Sequence, residues 1–134
     1  MRGRVLAGGT AEGPALRLEE PLSLWGGVDP GTGEIIDTRH PQRGTSINGR
    51  VLVMLSVRGS SSSSSVLAEA VRAGCAPAAI LLGEPDLILA VGAAVADELY
   101  RVRLPVLLLA LADVAAIPDG AAVAIGEGGE VTVS

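Results

Sequence analysis

Residues 49–74, GRVLVMLSVRGSSSSSSVLAEAVRAG, constrain the fold more than any other stretch. Val51 to Leu55 is a short apolar run rich in β-branched residues, which predicts a buried strand. Val66, Leu67, Ala70 and Val71 fall at helical spacing, with Gly74 as the C-cap. Arg58, Gly59 and the serines Ser60 to Ser65 lie between strand and helix. A strand that turns through glycine into a helix presents backbone N–H groups and the positive end of the helix dipole. That is an anion site. A serine placed there binds a carboxylate or phosphate, or has its own alkoxide stabilised. The alternative is a flexible low-complexity linker. A chain of 134 residues is too short for two comfortable domains, so one domain is expected over residues 1–134. A linker also has no need of an apolar strand and an amphipathic helix clamped at its two ends. The loop-into-helix reading is preferred.

Nearly half the residues are hydrophobic, yet they are Ala, Val, Leu and Ile; there is no Phe, one Trp and one Tyr. Small aliphatic residues with many glycines suit closely packed α/β layers. Single-stranded nucleic acid needs aromatic stacking platforms, and a phosphate backbone needs positive charge. The aromatic shortage and the net charge of −5 argue against nucleic-acid partners. Cys75 and His40 are the only residues of their kinds. One thiolate holds neither a disulfide within the chain nor a zinc or iron–sulfur site, so no metal site of this chain's own is expected. Cys75 sits among Ala and Gly and reads as a buried core residue in a reducing compartment. The N-terminus lacks an apolar h-region, and the longest apolar run, Leu104 to Ala112, is too short to span a bilayer. A cytoplasmic protein without membrane association is expected.

In chain order, Arg4 to Ala7 and Ala15 to Leu18 read as strands joined by a glycine-rich turn at residues 8–13. A long Gly/Pro-rich segment follows, from Pro21 to Asp37, with DPGTG as a turn signal. Long ordered loops are usually functional. Trp25, beside Gly26 and Gly27, either plugs one end of the core or stands at an interface where the glycines allow close approach. Glu34 to Ile36 is a short strand. His40, in Thr38-Arg39-His40-Pro41, is either a structural hydrogen-bonding residue or part of a site. Pro77 to Leu82 and Pro105 to Leu109 are further buried strands. Between them Leu87 to Leu99 reads as a helix with Asp86 as its N-cap. A short helical turn around Asp113 to Ala116 precedes a closing hairpin, Ala121 to Ile125 with Glu130 to Val133. The middle of the chain thus alternates strand and helix, which predicts an α/β domain with a mostly parallel central sheet.

The block PLSLWGGVDPGTGEIIDTRHPQRG, followed by GRVLVM, RGSSSSSS, APAAIL and LPVLLL, resembles the small subunit of the aconitase X family over nearly the whole chain. That resemblance implies a swivelling β/β/α fold, like the mobile domain of aconitase. It implies a larger partner subunit that carries an iron–sulfur cluster, no cofactor on this chain, and hydro-lyase chemistry on a small hydroxy acid. In the aconitase-type pattern the serine directly after the loop glycine is the base, and here that is Ser60 after Gly59. Arg58, Gly59 and Ser61 become candidates for holding substrate, with Gly26, Gly27 and His40 as further candidates. The family's branches include cis-3-hydroxy-L-proline dehydratase and phosphomevalonate dehydratase. The unbroken GSSSSSS resembles the former.

Two readings compete. The loop could hold an anion in a non-catalytic binding or regulatory module. His40 could carry a phosphoryl group, although its surroundings do not match the glycine-rich loop expected of such a carrier. An isolated chain would expose its apolar partner surface around Trp25 and the serine loop, which leaves both a monomer and a homo-oligomer open.

Overall fold

The computed structural model describes residues 1–56 and 59–134. In chain order the elements are β1 (Arg4–Ala7), β2 (Ala11–Arg17), α1 (Leu24–Gly27), β3 (Val51–Met54), α2 (Ser63–Ala73), β4 (Ala79–Leu82), α3 (Leu87–Tyr100), β5 (Val106–Leu108), α4 (Leu111–Ala116), β6 (Ala122–Ile125) and β7 (Val131–Val133). The strands form one sheet of order β1-β5-β4-β3-β2-β6-β7. The four central strands, β5, β4, β3 and β2, are parallel; β1, β6 and β7 pair antiparallel. Residues ahead of β1 then reach the opposite edge. The Val131 N–H donates to Met1 O at 2.7 Å and the Gly3 N–H to Gly129 O at 2.8 Å. The sheet curls until its two ends meet.

A curled sheet buries both faces of its central strands, which is why those strands read as unbroken apolar runs. Side chains alternate between two cores. Val51, Val53, Ala79 and Leu81 point inward to Val123, Ile125, Val131 and Val114 of α4. Leu52, Met54, Ile80 and Leu82 point outward, under Leu67 and Val71 of α2 and Leu89 and Ala93 of α3. The second core extends under Leu22, Leu24, Val28 and Ile35, so the 21–37 segment is packed down rather than loose.

Most element types match the sequence reading. Gly74 closes α2 in the left-handed conformation, and the Asp86 carboxylate accepts the Leu89 N–H at 2.9 Å to cap α3. The short strand expected at Glu34 to Ile36 is replaced by isolated bridges, Val28 with Ile35 and Glu34 with Ser46. Two further features differ. The glycine-rich turn is shorter than expected: β2 already begins at Ala11 and includes Gly13 and Pro14. At Gly13 a side chain would stand 2.6 Å from Gly49 O, so the glycine serves close strand approach and not a turn. The second difference is Trp25, which is exposed and plugs nothing; Leu24 and Val28 fill the core beneath it. No helix among the described residues is long and apolar enough to cross a membrane.

Because β2 to β5 run in one direction, the loops after them gather at the carboxyl edge of the sheet. The serine loop follows β3, and α1 lies in the segment after β2. In open parallel sheets ligands bind at this edge.

Candidate functional site

The site is built on the first turn of α2. Ser62 already has helical backbone angles (φ −66°, ψ −13°), so the helical conformation starts before the regular α-helix. Ser60 is the residue that caps it. Its Oγ accepts the Ser62 N–H at 3.1 Å, and its carbonyl accepts the Ser63 N–H at 3.0 Å. Ser60 is half-buried. No acidic residue stands in the first turn to neutralise the helix's positive end. The Ser60 oxygen therefore sits where an N–H donor and a dipole both favour negative charge.

The other serines divide by hydrogen bonding. Ser63 is buried, and its Oγ accepts the Trp25 N–H at 3.2 Å. The Ser64 hydroxyl donates back to Ser61 O at 2.9 Å. Ser61, Ser62 and Ser65 are exposed. Ser63 lies four residues before Leu67 and seven before Ala70, on the same helix face. That spacing could have singled it out within the run.

α1 completes this corner. Its interior is not helical: Trp25 (φ −71°, ψ 118°) and Gly26 (φ 79°, ψ −15°) have the angles of a type II turn, which calls for glycine at the second position. Ser23 Oγ donates to Trp25 O at 2.9 Å, so the Trp25 peptide groups are tied to serine hydroxyls on both sides. Gly27 is buried, and its carbonyl accepts the Ile36 N–H at 2.8 Å. Gly59 (φ +141°) passes so close that a Cβ there would stand 2.5 Å from Ser23 Oγ and 3.1 Å from Ser63 Oγ. The structure thus brings Gly59, Ser60 and Ser61 together with the Trp25–Gly26–Gly27 turn. Arg58 lies outside the described residues.

His40 is held elsewhere. It is buried, with Nε2 3.1 Å from Glu20 O and Nδ1 accepting the Gln42 N–H at 3.1 Å. Both ring nitrogens face backbone groups, Nδ1 as acceptor, which leaves Nε2 as the nitrogen that faces Glu20 O. Gln42 in turn bridges Arg17 O and the Glu19 N–H. These bonds fasten the 37–45 segment to the end of β2.

No group of three or more His, Cys, Asp or Glu forms among the described residues. Cys75 is buried, its thiol donates to Pro30 O at 3.1 Å, and burial, assisted by the Asp29 carboxylate, pushes its pKa above the ordinary value.

The aconitase X swivel-domain model matches residues 1–133. The chain belongs to the aconitase X swivel-domain family. It is 51% identical over 106 residues to a cis-3-hydroxy-L-proline dehydratase of Pseudomonas aeruginosa, a match covering 79% of this chain and 18% of that protein. It is 45% identical over 93 residues to a phosphomevalonate dehydratase small subunit of Methanothermobacter thermautotrophicus, covering 69% of this chain and 71% of that one. A crystal structure of Thermococcus kodakaraensis aconitase X in its holo-form superposes with a TM-score of 0.88 at 36% identity, covering 99% of this chain and 96% of that chain. The swivel-domain chain spans about a fifth of the length of the cis-3-hydroxy-L-proline dehydratases it matches. The β/β/α swivel fold implied by the sequence resemblance is the fold observed.

Proposed function

We propose that this chain is the small, swivelling part of a hydro-lyase that removes water from a small hydroxy acid, with Ser60 as the proton acceptor. The observation that carries the reading is the Ser60 hydroxyl, placed directly after Gly59 with its oxygen on the Ser62 N–H at the start of α2. Dehydration takes a proton from the carbon beside a carboxylate while hydroxide leaves the next carbon. The electron pair of the C–H bond becomes the double bond, and the proton and hydroxide depart as water. Ordinary serine is far too weak a base for this. An oxygen that already accepts an N–H at a helix start holds the negative charge more readily, and excluding water strengthens what that N–H and the helix dipole contribute. Ser61 and Gly59 supply backbone N–H groups to the substrate carboxylate, with Arg58 as a further cation and the Gly26–Gly27 turn lining the approach. The buried ring of His40 supports the site by fixing the 37–45 segment.

The rest of the site belongs to a larger subunit, in a heterodimer or higher assembly, where the resemblance puts an iron–sulfur cluster. This chain's residues do not fit such a cluster. Greater identity to the P. aeruginosa protein, and the continuous serine loop, support cis-3-hydroxy-L-proline as substrate. Phosphomevalonate is the second reading, favoured by small-subunit relatives of which this chain covers over two thirds. A reducing cytoplasm fits the unpaired Cys75.

The test is co-expression with the larger subunit, anaerobic purification and a dehydration assay on both substrates, with wild type and Ser60→Ala. Turnover of one substrate, lost in an assembled Ser60→Ala complex, is expected. Wild-type turnover in that variant would remove Ser60 as base. An assembled wild type inert on both substrates would favour the anion-binding module.

A further inference from the structure

A surface helix of a folded domain turns an apolar stripe to the core and a polar face to water. α3 does not. Leu89, Gly92, Ala93 and Ala96 pack inward, yet Leu87, Val91, Val95 and Leu99 recur every fourth residue on the solvent side, at 72%, 53%, 37% and 63% exposure. Side chains four apart lie one above the other, so these form a single ridge over about three turns of helix. Isolated exposed leucines are ordinary, but a continuous ridge marks a surface that something covers. The end of the helix is also unusual. Arg101 closes α3 at φ +56°, and no other non-glycine among the described residues has a positive φ. Glycine is the usual residue at that position, so an arginine there carries backbone strain. Arg101 is exposed, and neither it nor Glu84 has an ion-pair partner among the described residues.

We propose that a second copy of this chain docks on α3, with the two helices antiparallel about a twofold axis beside Ala93. The role is separate from the dehydratase chemistry. Two features choose the occupant. The ridge reads the same in both directions: about Ala93, Leu87 mirrors Leu99 and Val91 mirrors Val95. A closed twofold contact needs that self-complementarity, because each copy offers the other the surface it covers. The two ends of the ridge are also complementary in charge. Antiparallel alignment lays the Glu84 to Asp86 end of one copy beside Arg101 of the other, and the symmetry repeats the pairing. Parallel alignment would instead set Glu84, Asp97 and Glu98 each against its own counterpart, a costly juxtaposition. One helix against another is small for a specific interface, so the dimer is a weak one.

Sedimentation velocity of the full chain over about 1–500 μM is expected to show a reversible monomer–dimer equilibrium with a dissociation constant on the order of micromolar. Val95→Glu and Leu99→Glu put a carboxylate on the ridge and should weaken dimerisation by about tenfold or more. Leu111→Glu, at a similarly exposed leucine on α4, should leave it within about twofold. Circular dichroism checks that each variant is folded. Glu84→Arg and Arg101→Glu should each weaken self-association by about threefold to tenfold. Mixing these two variants, one of them fluorescently labelled, should restore the wild-type affinity, because every mixed dimer pairs arginine with glutamate at both ends. A chain that stays monomeric throughout, or a dimer untouched by Val95→Glu and Leu99→Glu, overturns the proposal. So does a dimer lost only on Leu111→Glu, which would move the contact to the serine-loop edge. Mixed charge variants that fail to associate overturn the antiparallel arrangement.

Discussion

The Ser63 hydroxyl accepts the backbone N–H of Trp25 at 3.2 Å, joining the first turn of α2 to a loop 38 residues earlier in the chain. Ser63 is buried, so water cannot replace it. Ser63→Ala gains a few tenths of a kcal/mol in helix propensity and leaves a donor without its partner, which costs about 1–3 kcal/mol. The second effect is larger. Urea unfolding should show Ser63→Ala destabilised by about 1–2 kcal/mol, whereas Ser62→Ala, at an exposed neighbour whose hydroxyl caps nothing, should unfold within about 0.5 kcal/mol of wild type.

Gly59 and Ser23 should be coupled. A Cβ at Gly59 would meet Ser23 Oγ at 2.5 Å, and Ser23 cannot swing away without losing its bond to Trp25 O. A φ of +141° adds strain for any side chain. Gly59→Ala should lose about 2–4 kcal/mol from clash and backbone strain together. In a Ser23→Ala background the clash is relieved and the backbone strain remains. The double-mutant cycle should show Gly59→Ala costing at least about 0.5 kcal/mol less there. Equal costs in the two backgrounds would mean that the clash contributes nothing.

Gly92 sets propensity against packing. Replacing a mid-helix glycine with alanine ordinarily stabilises by about 1 kcal/mol. Here the new methyl would stand 2.9 Å from Ser64 O and 3.1 Å from Ser64 Cα, both backbone atoms of α2. Overpacking against backbone costs about 1–3 kcal/mol, so Gly92→Ala should be net destabilising. It should also depress turnover in the assembled enzyme, because α2 can yield only by moving the turn that carries Ser60. A rise in melting temperature would show that the helices separate freely.

Local signals in the chain identify the parallel core well. β3, β4 and β5 are buried on both faces, so their apolar runs carry no ambiguity of register, and Gly74 and Asp86 mark helix ends by their chemistry. β2 was harder to read because Gly13 and Pro14 are strand breakers by local rule. Their place is set by close approach to Gly49, which is distant in sequence. The pairing of β1 with β5 is likewise set by contacts a hundred residues away. In the site, Gly59 and Ser60 stand out from the glycine-to-helix pattern, but the hydroxyl partners do not. Six identical residues give no local distinction, and Ser63 separates from the rest only when helix spacing is projected from Leu67. His40 could not be assigned from sequence because its partners, Glu20 O and the Gln42 N–H, are backbone groups.

Cys75 gives a pH dependence. Burial raises its pKa above the unfolded value of about 8.5, with the Asp29 carboxylate acting in the same direction. Above that pH the unfolded chain releases the thiol proton while the folded chain keeps it. The unfolded state is then favoured, so stability contributed by the neutral thiol is present below about pH 8.5 and declines as pH rises further. Urea midpoints at pH 7.5 and 9.5 should differ more in wild type than in Cys75→Ala. The native thiol should also react with a disulfide reagent far more slowly than the unfolded one.

The two roles given to Ser60 can be separated by asparagine. As the cap of α2, Ser60 Oγ holds the Ser62 N–H, and alanine there should cost about 1 kcal/mol of stability. Loss of turnover in Ser60→Ala alone would therefore leave room for a loosened helix start. Asparagine caps a helix as well as serine does, since its carbonyl oxygen accepts the same N–H. An amide cannot accept the substrate proton at neutral pH. Ser60→Asn should thus unfold at the wild-type urea midpoint, bind the larger subunit normally and still lose turnover by at least about a hundredfold, the scale of a lost general base. If Ser60→Asn instead turned over substrate at the wild-type rate, the Ser60 oxygen would be a structural cap and the base would lie elsewhere.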